Sequence, residues 1–229
     1  MCGRYFDTTD PARIAERFGT VNGVPNYPPH HNAAPSQQLA VVRFNPERRE
    51  RTLDLLRWGL VPHWAESLNV GYKMINARAE GIAEKRSFAP AFHKRRCLVP
   101  AQGFYEWRRD GSKKRPYAIA LRSGEPMAFA GLWENWKDPG GEWVRTFTII
   151  TTAANDVVGQ IHDRMPVILD PADWPAWLGE RPVETADLVR LLRPYPGSGM
   201  TLWPVSDRVN NARIDEPGLF DQLPPRNSA

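Results

Sequence analysis

Apolar and β-branched residues recur along this chain in short runs bounded by Gly, Pro, Asn and Asp, a pattern of strands rather than long helices. Residues 38–44 and 51–57 read as two strands connected across Asn45-Pro46. Residues 97–100 and 103–107 follow the same pattern. Asp110-Gly111 is a hairpin-tip dipeptide that leads into a strand at 116–121. Residues 127–133 and 144–152 continue the series. Asp10-Pro11, then Ile14, Phe18 and Gly19, read as a short capped helix. Residues 21–37, rich in Pro and Asn, read as an irregular loop, and 76–80 as the opening of a short helix. The pattern then shifts: 155–161 reads as one or two helical turns, 170–178 and 183–192 as helices, and 201–205 as a late strand. The 22 prolines and 17 glycines are spread throughout, without a linker, low-complexity tract or repeat. These elements predict a single compact α+β domain over 1–223, built on mixed β structure with flanking short helices, and a disordered tail over 224–229.

Composition changes this picture little. At 41% hydrophobic and 24% charged, the chain reads as globular, with no apolar run of membrane-spanning length and no signal-peptide pattern. Two cysteines, Cys2 and Cys97, make neither a disulfide framework nor a zinc site. Charge is more informative. The net value is +4, yet residues 1–115 hold 20 of the 30 Lys and Arg and 11 of the 26 Asp and Glu. The first half thus carries +9 and the second −5. Basic runs stand at Arg48-Arg49, Lys94-Arg95-Arg96, Arg108-Arg109 and Lys113-Lys114-Arg115. They are compatible with a solvated surface or with a polyanionic partner.

Several side chains could carry chemistry, each with a bland alternative. Removal of Met1 would leave Cys2 with an α-amine beside its thiol, with reference pKa values of roughly 8 and 8.5. Such a 1,2-aminothiol condenses with an aldehyde to an imine, and the thiol then closes a thiazolidine ring. A lone Cys is also simply a small apolar residue. Glu106, between aromatics in Gly-Phe-Tyr-Glu-Trp, would be a proton donor if buried and inert if it faces solvent. His162 is a candidate base for opening a sugar hemiacetal, or a structural histidine. Asn76 could hold a sugar oxygen and Arg78 a phosphate; a helix cap and a surface cation are the alternatives. Arg4 could grip a phosphate beside Cys2. Of nine tryptophans, Trp58, Trp64 and Trp107 flank these motifs and could stack on bases, or pack in the core.

Taken in order, the motifs resemble the SRAP (SOS response-associated peptidase) family. They are Met-Cys-Gly-Arg-Tyr at 1–5, Trp-Gly-Leu-Val-Pro-His-Trp at 58–64 and Ile-Asn-Ala-Arg-Ala-Glu at 75–80. Arg-Cys-Leu-Val-Pro-Ala-Gln-Gly-Phe-Tyr-Glu-Trp follows at 96–107 and Ile-His-Asp-Arg-Met-Pro-Val-Ile-Leu at 161–169. The likeness spans roughly 1–215 and is weakest over Asn22–His31. It implies a distorted mixed β-barrel core and an abasic-site sensor that crosslinks itself through Cys2 to single-stranded DNA. By the same resemblance, Glu106 shuttles protons, Asn76 orients the sugar and His162 assists ring opening. Arg4 and Arg78 hold phosphates, and Trp58, Trp64 and Trp107 are the stacking candidates. The expected location, without a signal peptide or apolar span, is the cytoplasm, nucleoid-associated when crosslinked; the Ala-, Arg- and Pro-rich composition points to a bacterial source, a monomer is expected, and no metal or other cofactor is called for. The crosslinking reading carries possible lyase and autopeptidase activities, and two other readings stand beside it: a cysteine peptidase limited to exposing Cys2, and a noncovalent single-strand binder.

Overall fold

A computed structural model describes residues 2–224. The strands are β1 (Tyr5–Asp7), β2 (His30–Ala33), β3 (Gln38–Asn45), β4 (Glu50–Trp58), β5 (Asn76–Arg78) and β6 (Arg96–Ala101). They continue with β7 (Gly103–Asp110), β8 (Lys113–Leu121), β9 (Met127–Lys137), β10 (Trp143–Ala153), β11 (Arg164–Pro166) and β12 (Met200–Pro204). Four short helices flank them: α1 (Pro11–Phe18), α2 (Ala89–Lys94), α3 (Trp174–Leu178) and α4 (Thr185–Arg190).

Five strands close on themselves. β4 pairs with β3, β3 with β6, β6 with β9 and β9 with β10, all antiparallel. A parallel pairing of β10 with β4 completes the ring, so the mixed barrel inferred above is present. β5 and β11 extend it beside β10, and a second, antiparallel sheet runs β12–β8–β7–β1–β2.

Alternation along the barrel strands sorts the core into two faces. Leu39, Val41, Val99, Phe129, Phe147 and Ile149 pack with Tyr5, Phe104 and Ile119 of the second sheet. Their neighbours Ala40, Val42, Leu98, Ala130 and Ile150 meet the helices through Ile14, Phe18, Phe92 and Trp177. Helix α1 shows how local sequence serves this packing. Asp10 accepts the Ala12 N–H at 2.7 Å, Pro11 opens the helix, and Gly19 closes it in the left-handed region. The buried side of the helix then stacks Phe18 on Trp174 at 4.5 Å.

Some sequence expectations need correction. Residues 76–80 begin as strand β5, not a helix. Asn76 and Arg78 lie opposite Ile149 and Thr151 of β10, and Ala77 between them is fully buried, so the ladder overrides local preference. The expected loop 21–37 contains β2, which pairs Ala33 with Tyr5. Residues 155–161 form only a 3-10 turn at Val158–Gln160, and 170–178 opens as a 3-10 turn before α3. Of the expected tail, only Pro224 is described; 225–229 lie outside the described residues.

Asp7 on β1 is a buried carboxyl, and burial raises it from 3.8 to about 6, against hydrogen bonds from Thr9 and the charge of His30. Its folded pKa exceeds the unfolded value, so the stability tied to the neutral form is present below pH 3.8 and is lost as pH rises through about 6. Asp7→Asn keeps the acceptor for the Thr9 N–H. It is expected to exceed the parent by about 1–3 kcal/mol near pH 8 and to match it near pH 4, read by urea denaturation at both pH values.

Candidate active site

The β7–β8 hairpin and residues 160–163 face each other across a cleft of about 920 Å3. Glu106, Trp107, Arg108, Arg109 and Lys114 line the hairpin side and His162 the other. Arg108 and Arg109 from one basic run and Lys114 from the next thus meet on one groove, because the turn at Gly111 (φ 61°) folds β8 back along β7.

Strand register lays residues 4–6 along β7, the strand that carries Glu106. Tyr5 lies opposite Phe104 and Phe6 opposite Gly103, and the Tyr105 N–H donates to the Arg4 carbonyl at 3.0 Å. Cys2, three residues before Tyr5, is fully buried in the cluster that holds Tyr5 and Phe104, feels the charge of the Glu106 carboxylate, and has its Sγ 4.0 Å from the Arg4 carbonyl oxygen. Glu106 is 2% exposed, and burial holds its carboxyl above the usual range while the charge of His162 pulls it down. The Cys2 thiol is pushed well up, first by burial and then by the Glu106 carboxylate. This corrects the sequence expectation of a partly ionised thiol: in this setting Cys2 is an S–H group.

His162 accepts the Arg164 N–H on Nδ1 at 3.0 Å, so its neutral form carries the proton on Nε2. The exposed Asp163 carboxylate is 3.0 Å from the same nitrogen and becomes an ion partner when the ring is protonated. Arg164 forks onto Glu80 at 2.6 and 2.9 Å and donates to the Thr151 carbonyl at 2.7 Å. That hydrogen bonding holds the Glu80 carboxyl down at about 2 and joins the 75–80 motif to the 161–169 motif. Between them, Asn76 donates to the Ile75 carbonyl at 3.1 Å, and its Oδ1 is buried without a partner. A buried acceptor left over is a feature that a ligand donor would satisfy. Arg78 is exposed on β5.

The remaining expected site residues fall in different places. Trp58 is 1% exposed, lies between Tyr5 and Phe147, and donates to the Ile75 carbonyl. With no free face, it is a core side chain and is withdrawn as a stacking candidate. Trp64 is 42% exposed, with the Arg86 guanidinium 5.0 Å over its ring. Trp107 lines the cleft, and its Nε1–H donates to Asn210 at 2.6 Å. Arg4 braces the protein: Nη1 donates to Asn32 Oδ1 and to the Val209 carbonyl, both at 2.9 Å.

Sequence reasoning did not select Asn32, Glu80, Arg164 or Asn210. Glu80 and Arg164 stood inside quoted motifs, and opposite charges there were the available signal. Asn32 and Asn210 offered none, because their partners lie far along the chain.

A closed mixed barrel thus brings the buried Cys2 and Glu106 and the half-buried His162 together at a cationic cleft lined by Glu106 and His162. The chain belongs to the SRAP (SOS response associated peptidase) family, whose model matches residues 1–212. It is 42% identical over 224 residues to the abasic site processing protein YoqW of Bacillus subtilis, covering 96% of this chain and 99% of that one. It is 33% identical over 220 residues to the abasic site processing protein HMCES of Xenopus tropicalis, covering 83% and 65%. A crystal structure of a Bacteroides thetaiotaomicron protein superposes with a TM-score of 0.87 at 25% identity, covering 97% of this chain and all of that one. Among the described residues, no helix is long and apolar enough to cross a membrane.

Asn32 is fully buried and donates through Nδ2 to the Val209, Asn211 and Ile214 carbonyls besides accepting from Arg4. Asn32→Ala would strand these groups. The expected cost is about 2–4 kcal/mol, measured by urea denaturation.

Proposed function

We propose that this protein processes abasic sites by bonding covalently to them in single-stranded DNA, through Cys2 after Met1 has been removed. The observation that carries this reading is the burial of Cys2 within reach of the charge of Glu106, a carboxyl held above its usual range that lines a cationic cleft. The names of the relatives support the substrate: YoqW and HMCES are both called abasic site processing proteins.

The chemistry follows from these groups. An abasic deoxyribose is mostly a closed hemiacetal, and His162 at the cleft edge would move the proton that opens it to the aldehyde. The Cys2 α-amine adds to that carbonyl carbon. Glu106 in its acid form protonates the hydroxyl of the carbinolamine, water leaves, and an iminium remains. The Glu106 carboxylate then takes the Cys2 S–H proton, and the sulfur bonds to the iminium carbon. The product is a neutral thiazolidine, and one water has been released. Ring closure removes the imine that would otherwise promote β-elimination and strand cleavage. Asn76, with its leftover acceptor, is placed to orient the sugar or amine. Arg78, Arg108, Arg109 and Lys114 supply charge for the phosphates, Trp107 a stacking face in the cleft and Trp64 another on the surface. Flexible single strands offer such a site a sugar without the cost of extrusion from a duplex.

A peptidase reading requires Cys2 as a ready thiolate, which a depressed pKa provides. Burial moves this thiol the other way.

The test is a denaturing gel with tag-free protein, Met1 removal confirmed by intact mass, and an oligonucleotide bearing one abasic site. A heat- and detergent-stable shifted band is expected with the parent and absent with Cys2→Ala or an undamaged strand. Glu106→Gln is expected to slow band formation by about 10²–10⁴-fold, the usual worth of a positioned acid. No stable band from protein shown to lack Met1 would overturn the covalent reading.

A further inference from the structure

Residues 207–215 contribute no group to the chemistry proposed above, yet more side-chain hydrogen bonds converge on them than their loop character suggests. Asp207–Asn210 form a 3-10 turn, opened by Ser206 accepting the Arg208 N–H, with Val209 fully buried in it. The Val209 carbonyl receives Arg4 at 2.9 Å and Asn32 at 3.3 Å, and Asn32 also reaches the carbonyls of Asn211 at 3.2 Å and Ile214 at 2.8 Å. At its far end, Asp215 Oδ1 accepts the His31 and Asn32 N–H groups at 2.5 and 2.8 Å, while Oδ2 lies 3.2 Å from His30 Nδ1. The segment is a strap, clasped to Arg4, the residue before β1, and to β2.

One residue of the strap faces the cleft. Asn210 lines it beside Trp107, and its Oδ1 accepts the Trp107 Nε1–H at 2.6 Å. An indole N–H is a donor only, so the amide must present its oxygen. Trp107 also packs against the apolar cluster that contains Val205 and Val209. The ring is thus held at its nitrogen edge by Asn210 and along its side by the strap, while it lines the cleft in which Glu106 and His162 stand.

We propose that Asn210 is a positioning residue: its hydrogen bond presets the Trp107 ring as the stacking face for the nucleotide beside the lesion. The clasp of Arg4, Asn32 and Asp215 holds Asn210 there. A ring fixed before binding loses less side-chain freedom when a base stacks on it, so the hydrogen bond is converted into affinity for the strand. This rests on the cleft being the DNA site proposed above. It adds a residue that touches neither the reacting atoms nor a phosphate, and it acts only through the indole.

The experiment is a double-mutant cycle with Asn210→Ala and Trp107→Phe, read in two ways. Affinity for an undamaged single-stranded oligonucleotide is measured by fluorescence anisotropy, and crosslinking is followed against concentration of the abasic strand. Asn210 is exposed, and the strap is held by its backbone carbonyls, so Asn210→Ala should fold, checked by its melting temperature. In the parent background, Asn210→Ala is expected to weaken binding about two- to tenfold, the size of one hydrogen bond's net contribution. The half-saturating strand concentration should rise with it, and the maximal crosslinking rate should stay unchanged. In the Trp107→Phe background, which keeps an aromatic face but has no N–H, Asn210→Ala is expected to add nothing. An equal loss in both backgrounds, no loss in the parent, or a fall in maximal rate alone would overturn the proposal. A parent that binds the strand but forms no stable crosslink sinks the covalent reading and leaves this cycle to be judged on affinity. A parent that binds no strand sinks both.

Discussion

Both edges of strand β10 are occupied along most of its length, and this pairing governs the rest of the molecule. β9 and then β11 run antiparallel along one edge, while β4 and then β5 run parallel along the other. The parallel contact with β4 involves only Thr146 with Arg57 and Phe147 with Trp58, yet it closes the barrel. Past that point, β10 holds apart the two strands that bear most of the non-hairpin site. β5 carries Asn76 and Arg78, and β11 begins two residues after His162. Arg164 spans this arrangement from β11 to Glu80 beyond β5, taking the Thr151 carbonyl on the way. A fork of this kind fixes direction as well as distance, and a lysine point charge would not.

Reactivity and burial pull against each other at Cys2. A thiol without solvent contact is poorly ionised, which makes it a weak nucleophile and also a protected one. The same dry surroundings hold the Glu106 carboxyl up, so the two groups rest as neutral S–H and, to higher pH than usual, neutral COOH. Such a pair suits addition to an iminium better than attack on an amide. An iminium is a strong electrophile that needs sulfur only after the acid has released its proton, and the carboxylate so created is the base that the thiol lacks at rest. The proton inventory closes inside the site without an ionised cysteine at the start.

The β-rich core was readable because its strands are long and alternate: β3, β4, β8, β9 and β10 each match a run visible in the residues. The hairpin at Asp110-Gly111 and the cap at Asp10 were legible for the same reason, since their chemistry is local. What failed was short and paired at long range. β5 has three residues in a helix-tolerant Asn-Ala-Arg context, and its partner lies 73 positions away. β2 sits in a Pro-rich stretch that has no strand pattern of its own. Tryptophan counting also misled at one position: the indole of Trp58 looks the same in sequence whether it lines a groove or fills a core, and its neighbours Tyr5 and Phe147 are remote in the chain. The cation runs at 108–115 were the opposite case, because a two-stranded hairpin keeps sequence neighbours together in space.

Cys2, the thiol on which the proposed chemistry turns, stands where chains normally fray. Two kinds of restraint answer this here. β1 is held on both sides, by β2 and by β7, and the β7 register fixes Tyr5 and Phe6, three and four residues after Cys2. Ladder bonds in a three-residue strand are still few. The Arg4 guanidinium adds a tie to Asn32 and to a carbonyl 205 positions onward; burial lowers its pKa, and among the described residues no carboxylate lies within salt-bridge distance of it. Carbonyl and amide acceptors take the place of a counter-ion, which leaves the net positive charge intact beside the cleft. Arg4 therefore contributes in two ways through one group: its hydrogen bonds tie the start of the N-terminal strand to β2 and to the 3-10 turn at Asp207–Asn210, and its guanidinium keeps a positive charge two positions from Cys2.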